Sequence, residues 1–179
     1  MTTSSRILSL HSSDFEHGAS IPQQFTCDGE NISPELTWTY QPMNNAVPTK
    51  KIESYVLIVD DPDAEKIIGK IFVHWIVLMP SHVNHLQKGI SGTARAPIYE
   101  WDRTIREIIN DSKKAAYYGP CPPTNTGSHT YRFTLFATNT LIQDMNTRFF
   151  DIPFTAEQFR VTMTDSIIAE TILTGTYKR

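Results

Sequence analysis

A proline-rich loop that runs directly into an alternating strand, residues 118–137, limits the folds open to this chain more than any other stretch. The first ten of these residues hold three prolines and two glycines, which rule out a regular helix or strand. From His129 the chain alternates, so a period of two places His129, Tyr131, Phe133 and Leu135 on one face of a strand. The loop thus brings a histidine and a tyrosine to the mouth of an apolar strand. This arrangement favours a small pocket with a polar rim, although a simple structural corner is the alternative.

The composition is that of a globular protein. A length of 179 residues, with 40% hydrophobic and 20% charged residues, predicts a single domain over 1–179. The net charge is −3 and the basic residues are scattered, so no basic face for nucleic acid is expected. No apolar run reaches the length of a membrane span, and the polar first ten residues lack a signal-peptide core. We therefore expect a cytoplasmic protein with no transmembrane segment and no nucleic-acid partner.

Two other stretches predict buried strands. Residues 54–59 run into a group of carboxylates that includes Asp61, and residues 71–79 form a nearly continuous apolar run typical of a central strand. His74 lies inside this run and needs a hydrogen-bond partner there. If the two strands are neighbours, Asp61 can pair with His74. The alternatives are that His74 bonds to a backbone carbonyl and that the carboxylates cap a turn that faces solvent. Alternation would place His74 on one face with Phe72, Ile76 and Leu78.

Two stretches have a helical period. Residues 98–109 carry one apolar stripe, which predicts an amphipathic helix that docks on the domain or contacts a partner. Thr155 and Gln158 have the spacing of a capping box, and the helix that they begin would run toward Gly175. Its apolar stripe consists of Val161, Ile168 and Ile172. Short strands, Pro/Gly corners and a late helix together predict a mainly β (α+β) fold, a sandwich of two sheets with peripheral helices, including one near the C-terminus.

The chain lacks the spacings of the common catalytic and metal sites. There is no HxxxH, HExxH or CxxC pattern, no G-x-S-x-G and no phosphate-binding glycine loop. Cys27 and Cys121 are interpreted as two reduced thiols, with a disulfide in an oxidising compartment as the alternative. We therefore predict no metal, no cofactor and no catalytic residue. The remaining imidazoles, carboxylate, phenol and loop N–H groups suit phosphate or another small anion.

Several motifs, taken in order, resemble one family, the phosphatidylethanolamine-binding proteins. The resemblance is to the bacterial and archaeal branch described as Raf-kinase-inhibitor-like, and it covers nearly the whole chain. The motifs are C-D-G-E-N-I-S-P at 27–34, D-P-D-A at 61–64, His74-Trp75 followed by Pro80, G-P-C-P-P at 119–123, H-T-Y at 129–131 and the ending G-T-Y at 175–177.

The resemblance implies a site and a mode of action. It implies non-enzymatic binding of small anions or phospholipid head groups, and it leaves open a kinase or other protein partner and a homodimer. Four features depart from the family pattern. Glu65 follows D-P-D-A where proline is usual, and Thr130 replaces a common arginine. Residues 110–113, N-D-S-K, resemble a family loop that normally has an aromatic or apolar residue and then glycine, and the helix at 98–109 is read as an insertion. Glu65 would weaken phosphate binding if it pointed inward. The ligand-binding residues implied by the resemblance are Asp61, His74, His129 and Tyr131, with Pro122 and Pro123 as the wall and Gly119 in their loop.

Two alternatives remain from the sequence. One is a hydrolase that uses the same pocket, with a histidine as general base and Asp61 as its orienting carboxylate. The other is an interaction module with a vestigial pocket, which would bind partners through the helix at 98–109 and its Trp101.

Overall fold

Two antiparallel β-sheets form the body of the protein. The computed structural model describes residues 6–42, 50–92, 105–145 and 152–179. The strands are β1 (Arg6–His11), β2 (Leu36–Pro42), β3 (Ser54–Asp61), β4 (Phe72–Pro80), β5 (His85–Leu86), β6 (Arg106–Ile108), β7 (His129–Thr138) and β8 (Ile167–Tyr177). The three-stranded sheet has the strand order β1-β2-β5, and the five-stranded sheet has the order β6-β4-β3-β7-β8. The mainly β, two-sheet architecture predicted from the sequence is confirmed.

The main core lies between the two sheets. Trp38 of β2, Trp75 of β4 and Phe133 of β7 belong to one cluster of buried side chains. Each such large apolar side chain contributes about 1.5–3 kcal/mol when it is fully buried. Every residue of β3 is buried, because this strand is flanked by β4 and β7 and covered on both faces. The strands predicted at 54–59 and 71–79 are therefore confirmed.

A short helix, α2 (Ala156–Thr162), covers the other face of the five-stranded sheet. Phe159 of α2 packs on Phe136 of β7, with 4.9 Å between the ring centroids. The predicted capping box is present: Thr155 Oγ1 accepts a hydrogen bond from the Gln158 N–H, and Gln158 Oε1 accepts one from the Thr155 N–H. The C-terminal helix is therefore confirmed, and it begins where the sequence predicted.

The predicted extent of that helix was wrong. The helix ends at Thr162, and the following segment forms β8, which pairs along the whole length of β7. Val161 is 69% exposed and Ile172 is 40% exposed, so the supposed apolar stripe is not a buried surface. The β-branched residues of β8 fit a pleated strand better than a helix.

The helix predicted at 98–109 falls mainly on residues 93–104, which lie outside the described residues. Its described end is not helical, since Arg106–Ile108 form β6 and pair with β4. A further helix, α1 (Glu65–Ile68), follows a 3-10 turn at Pro62–Ala64. Among the described helices, none is long and apolar enough to cross a membrane.

The interpretation of two reduced thiols was also wrong. Cys27 and Cys121 form a disulfide, with their Cα atoms 5.4 Å apart. The Cys27 N–H also donates to the Pro120 carbonyl at 3.1 Å. The disulfide and this hydrogen bond together join the proline-rich loop to Cys27. Sequence spacing could not predict this pairing, because it depends on how two distant loops meet.

Candidate functional site

A cavity of about 500 Å³ lies at one end of the five-stranded sheet. The end of β3 and the starts of β4 and β7 meet there, because neighbouring strands in this sheet are antiparallel. β3 contributes Asp61, β4 contributes His74, and β7 contributes His129 and Tyr131. Three strands thus bring polar side chains to one place from positions up to 70 residues apart.

Six of the seven predicted site residues line this cavity, and Gly119 does not. The six are Asp61, His74, Pro122, Pro123, His129 and Tyr131. Gly119 instead positions the proline-rich loop: its N–H donates to Asn31 Oδ1 at 2.8 Å. A Cβ at this position would lie 2.2 Å from the Phe25 carbonyl oxygen, so only glycine allows the loop to approach so closely. Whether the six residues bind a ligand remains a prediction.

Sequence reasoning missed several lining residues. Phe72 could have been found, since it begins the same strand as His74. Lys114 follows the loop at 110–113, which the sequence singled out only as a departure from the family pattern. The exposed pair Ile67 and Ile68 lies on the unpredicted α1. The missed lining residues are Ala64, Ile67, Ile68, Phe72, Asp111, Ser112, Lys114, Tyr118 and Cys121. Glu65 is exposed and is not among the lining residues. It therefore does not point into the cavity, where it would weaken the binding of an anion.

Asp61 pairs with His129, not with His74. Its Oδ2 is 2.7 Å from His129 Nδ1, and both side chains are almost fully buried. Its Oδ1 accepts hydrogen bonds from the N–H groups of Asp63 and Ala64, in the turn that Pro62 begins. The prediction that Asp61 pairs with His74 was wrong, because β7 places the imidazole of His129, and not β4 that of His74, within reach of this carboxylate.

The second nitrogen of His129 is also occupied. Its Nε2 lies 3.0 Å from Thr126 Oγ1, and that hydroxyl donates its only proton to the Pro123 carbonyl. Nδ1 faces the Asp61 carboxylate, so both ring nitrogens of His129 have partners. A buried pair of an imidazole and a carboxylate needs such a full set of hydrogen bonds.

A β-bulge directs His74 into the cavity. Val59 lies opposite Trp75 and Asp60 lies opposite Val73, so His74 is an extra residue without a partner on β3. Its ring lies 4.8 Å from that of Phe72, as alternation predicted, but Ile76 and Leu78 pack under α2 on the other side. The bulge resets the alternation, which sequence periodicity could not predict.

His74 bonds to a backbone carbonyl, one of the alternatives that the sequence left open. Its Nδ1 is 2.6 Å from the Tyr118 carbonyl oxygen, and the two rings are stacked. Burial lowers the pKa of His74, against the opposing effects of that carbonyl and the nearby carboxylates. The ring is therefore neutral at neutral pH.

Tyr131 carries an unpartnered polar atom. The side chain is 1% exposed, and its buried hydroxyl has no hydrogen-bond partner among the described residues. The backbone of Cys121 is close enough to affect the pKa of the phenol, but it does not meet the geometry of a hydrogen bond. Burial raises the pKa of Tyr131, so the phenol keeps its proton. A buried unpartnered hydroxyl in a cavity wall is costly unless a ligand or water satisfies it.

The carboxylates near His74 each have a basic side chain as partner. Asp60 pairs with Arg132, Asp61 with His129 and Asp111 with Lys70. Lys114 also lines the cavity, and its ammonium group has no ion-pair partner among the residues that the structure describes. The same part of the chain contains no group of three or more His, Cys, Asp or Glu side chains placed to hold a metal ion.

Comparison with known proteins agrees with this architecture. The sequence model described as "Phosphatidylethanolamine-binding protein" matches residues 11–178. The UPF0098 protein of Aquifex aeolicus is 33% identical over 176 residues, which are 97% of this chain and 90% of that protein. The crystal structure of CT736 from Chlamydia trachomatis, described as a homolog of the same family, has a TM-score of 0.69 at 29% identity; the match covers 96% of this chain and 97% of that one.

Some relatives are longer than this chain. The UPF0098 protein Mb1945c of Mycobacterium bovis is 39% identical over 135 residues, which are 75% of this chain and 56% of that protein. The chain thus matches little more than half the length of this relative. The match over residues 11–178 and the near-complete match to the Aquifex protein lead to one conclusion: the chain belongs to the phosphatidylethanolamine-binding protein family.

Proposed function

We propose that the cavity binds a small phosphorylated molecule or head group, and that the protein acts by binding rather than by catalysis. The observation that carries the proposal is the buried Tyr131 hydroxyl, which has no described partner in the wall of a cavity of about 500 Å³. A phosphate oxygen could accept its hydrogen bond, and Lys114 could balance the charge. The family's name, which refers to a phospholipid with a phosphorylated head group, supports the same class of ligand.

The contacts of the two histidines favour binding over hydrolysis. The hydrolase alternative required Asp61 to orient a general base in the cavity. Asp61 contacts His129, whose second nitrogen is occupied by Thr126, while His74 is oriented only by a carbonyl. Neither imidazole therefore combines an orienting carboxylate with a free nitrogen.

Calorimetric titration of inorganic phosphate and phosphoethanolamine tests the proposal. Lys114→Gln should weaken binding up to about fivefold, as expected for an exposed charge. Lys113→Gln is the matched control, because Lys113 is adjacent and exposed but does not line the cavity. Tyr131→Phe should weaken binding about fivefold without loss of stability, since its hydroxyl has no hydrogen-bond partner among the described residues. Failure of both ligands to bind to wild type, or equal effects of the two lysine variants, would contradict the proposal.

The compartment is a separate question. A cytoplasmic location remains a prediction, and the disulfide counts against it because disulfides persist mainly in oxidising compartments. Thiol labelling of protein taken directly from its native cells distinguishes the cytoplasm from an oxidising compartment. Two blocked cysteines would support an oxidising compartment, and two reactive thiols would support the cytoplasm.

Regulation of a kinase or another protein, and homodimer formation, are further predictions that belong to this proposal. Sedimentation analysis of the full chain would measure its oligomeric state. The alternative partner surface around Trp101 lies outside the described residues.

A further inference from the structure

The first part of the proline-rich loop, up to Pro120, is held by backbone hydrogen bonds. The Tyr118 N–H donates to the His74 carbonyl and the Cys27 N–H donates to the Pro120 carbonyl, each at 3.1 Å. The hydrogen bond that the Gly119 N–H donates to a side chain adds a third connection. This part of the loop is therefore attached at three points that do not involve the disulfide.

Residues 121–128, which continue the loop, lack such connections. Pro122 and Pro123 have no N–H to donate. Among the described residues, the segment makes one hydrogen bond between backbone groups, from the Thr126 N–H to the Pro123 carbonyl, and that bond lies within the segment itself. Residues 123–126 are exposed, so few buried contacts hold them. The backbone of this segment is thus attached to neither sheet.

Side chains hold the segment at its two ends. At the end that leads into β7, the Thr126 hydroxyl lies 3.0 Å from His129 Nε2. At the other end, Cys121 forms the disulfide with Cys27. Residues 121–123 line the cavity, so the disulfide holds a part of the cavity wall in place.

Cys27 lies in a segment that other contacts hold. Asp28, the next residue, accepts a hydrogen bond from the Tyr177 hydroxyl at 2.9 Å and pairs with the Arg179 guanidinium at 3.0 Å. Thr26, on the other side of Cys27, is fully buried. If the disulfide is broken, Cys27 therefore keeps its position, and the partner that moves is the cysteine of the cavity wall.

The surroundings of the disulfide favour thiol–disulfide exchange. Both cysteines are half-buried rather than enclosed, so a thiolate can approach the bond from solvent. Arg179 Nη1 lies 3.7 Å from Cys121 Sγ. A cation at this position stabilises a thiolate. Cys121 is therefore the better leaving group when an incoming thiolate attacks Cys27 Sγ.

We propose that the Cys27–Cys121 disulfide is a redox latch on the cavity wall, and that a dithiol reductant opens it. One thiolate of the reductant bonds to Cys27 Sγ, the bond between the two cysteines breaks, and Cys121 leaves as a thiolate. The second thiolate of the reductant then displaces Cys27. The reductant ends as a disulfide, its two electrons reduce the protein, and its two protons end on the two cysteines. Residues 121–128 are thereby released.

The consequence for ligand binding rests on the proposed function, whereas the release of the wall does not. Backbone ¹⁵N relaxation of wild-type protein, before and after reduction with dithiothreitol, measures the release. Order parameters at residues 124–128 should fall from about 0.85 to below about 0.6. Those of Tyr118 and Gly119, in the same loop, should not change. Unchanged values at 124–128, or an equal fall throughout the chain, would overturn the latch.

The rate of reduction distinguishes exchange in the folded protein from exchange that requires unfolding. The rate should rise in proportion to the dithiothreitol concentration and stay constant at low urea concentrations. A rate that saturates at the rate of global unfolding would overturn the proposal. Arg179→Gln should slow reduction about threefold, because the leaving thiolate loses its cation. Lys178→Gln is the matched control, at an adjacent exposed position, and equal rates for the two variants would overturn the role of Arg179.

Calorimetric titration of phosphoethanolamine into oxidised and reduced wild-type protein measures the effect on binding. The reduced protein should bind at least about fivefold more weakly, because its wall is no longer preorganised. The double variant Cys27→Ser/Cys121→Ser should match reduced wild type and should not respond to dithiothreitol; reduced wild type alone carries the test if that variant does not fold. Equal affinity of the oxidised and reduced forms would overturn control of binding by the latch. Absence of binding to both would overturn the proposed function, and the relaxation data would still decide whether the latch exists.

Discussion

Asp60 and Asp61 are neighbours at the end of β3, but they face opposite sides of the five-stranded sheet. Asp60 accepts from Arg132 at 2.8 Å and from the Ala156 N–H at the start of α2. Asp61 accepts from His129 and from two N–H groups of its own turn. Both carboxylates are buried and fully hydrogen-bonded, so burial and pairing alone do not separate them.

The difference lies in what surrounds each carboxylate. On the α2 side Asp60 connects β3 with β7 and α2. On the cavity side, Asp61 lies in the same wall as His74 and Tyr131. The cavity and the side chains that line it, rather than buried charges, therefore distinguish the two sides. Buried ion pairs are themselves weak evidence for function or stability.

The largest effect is expected from His129→Ala, which removes the partner of Asp61. The carboxylate would stay buried without its imidazole partner, so we expect a loss of about 3–5 kcal/mol in the free energy of unfolding. Urea denaturation measures this loss, and phosphate affinity should fall in the fraction that stays folded. His11→Ala, at an exposed position in β1, should change stability by less than about 0.5 kcal/mol. An unchanged denaturation midpoint for His129→Ala would show that the pair contributes no net stability.

Asp60→Ala tests the other side of the comparison. Arg132 is about one-third exposed, so water can partly replace its lost partner, and we expect a somewhat smaller loss of about 3 kcal/mol. Phosphate affinity of the folded protein should remain that of wild type, because Asp60 does not line the cavity. Asp165→Ala, at an exposed position, is the control. If the Asp60→Ala protein folds but no longer binds phosphate, the distinction between the two sides of the sheet is wrong.

The smallest expected effect is the pH dependence that His74 adds to stability. Its pKa is lowered in the folded state, so the unfolded chain binds a proton first as the pH falls. Its contribution is complete above the unfolded pKa near 6.5 and is lost below it, by up to about 1.4 kcal/mol per pH unit. Urea denaturation from pH 7.5 to pH 5 should show a steeper decline for wild type than for His74→Gln. Parallel curves would mean that the pKa of His74 is the same in the folded and unfolded states.

Local patterns predicted the parts of the molecule that depend on neighbours in sequence. Period-two alternation identified β7, and the apolar runs identified β3 and β4. The capping box of Thr155 and Gln158 identified the start of α2, because its two hydrogen bonds join residues three apart. The resemblance to the family located six of the seven site residues in one cavity. The helical stripe that continued past Thr162 failed, because β-branched residues at mixed spacing also suit an edge strand paired with β7.

The sequence by itself therefore determined the strand-rich architecture, the proline-rich loop and the set of side chains available at the mouth of the sheet. Tertiary structure alone decided which of them meet: Asp61 with His129, His74 with a carbonyl, and Cys27 with Cys121. The physical reason is that pairing across strands depends on register, and one bulge at His74 reverses the direction of a side chain without any local signal. Likewise, only the packed structure shows that the Tyr131 hydroxyl has no partner among the described residues.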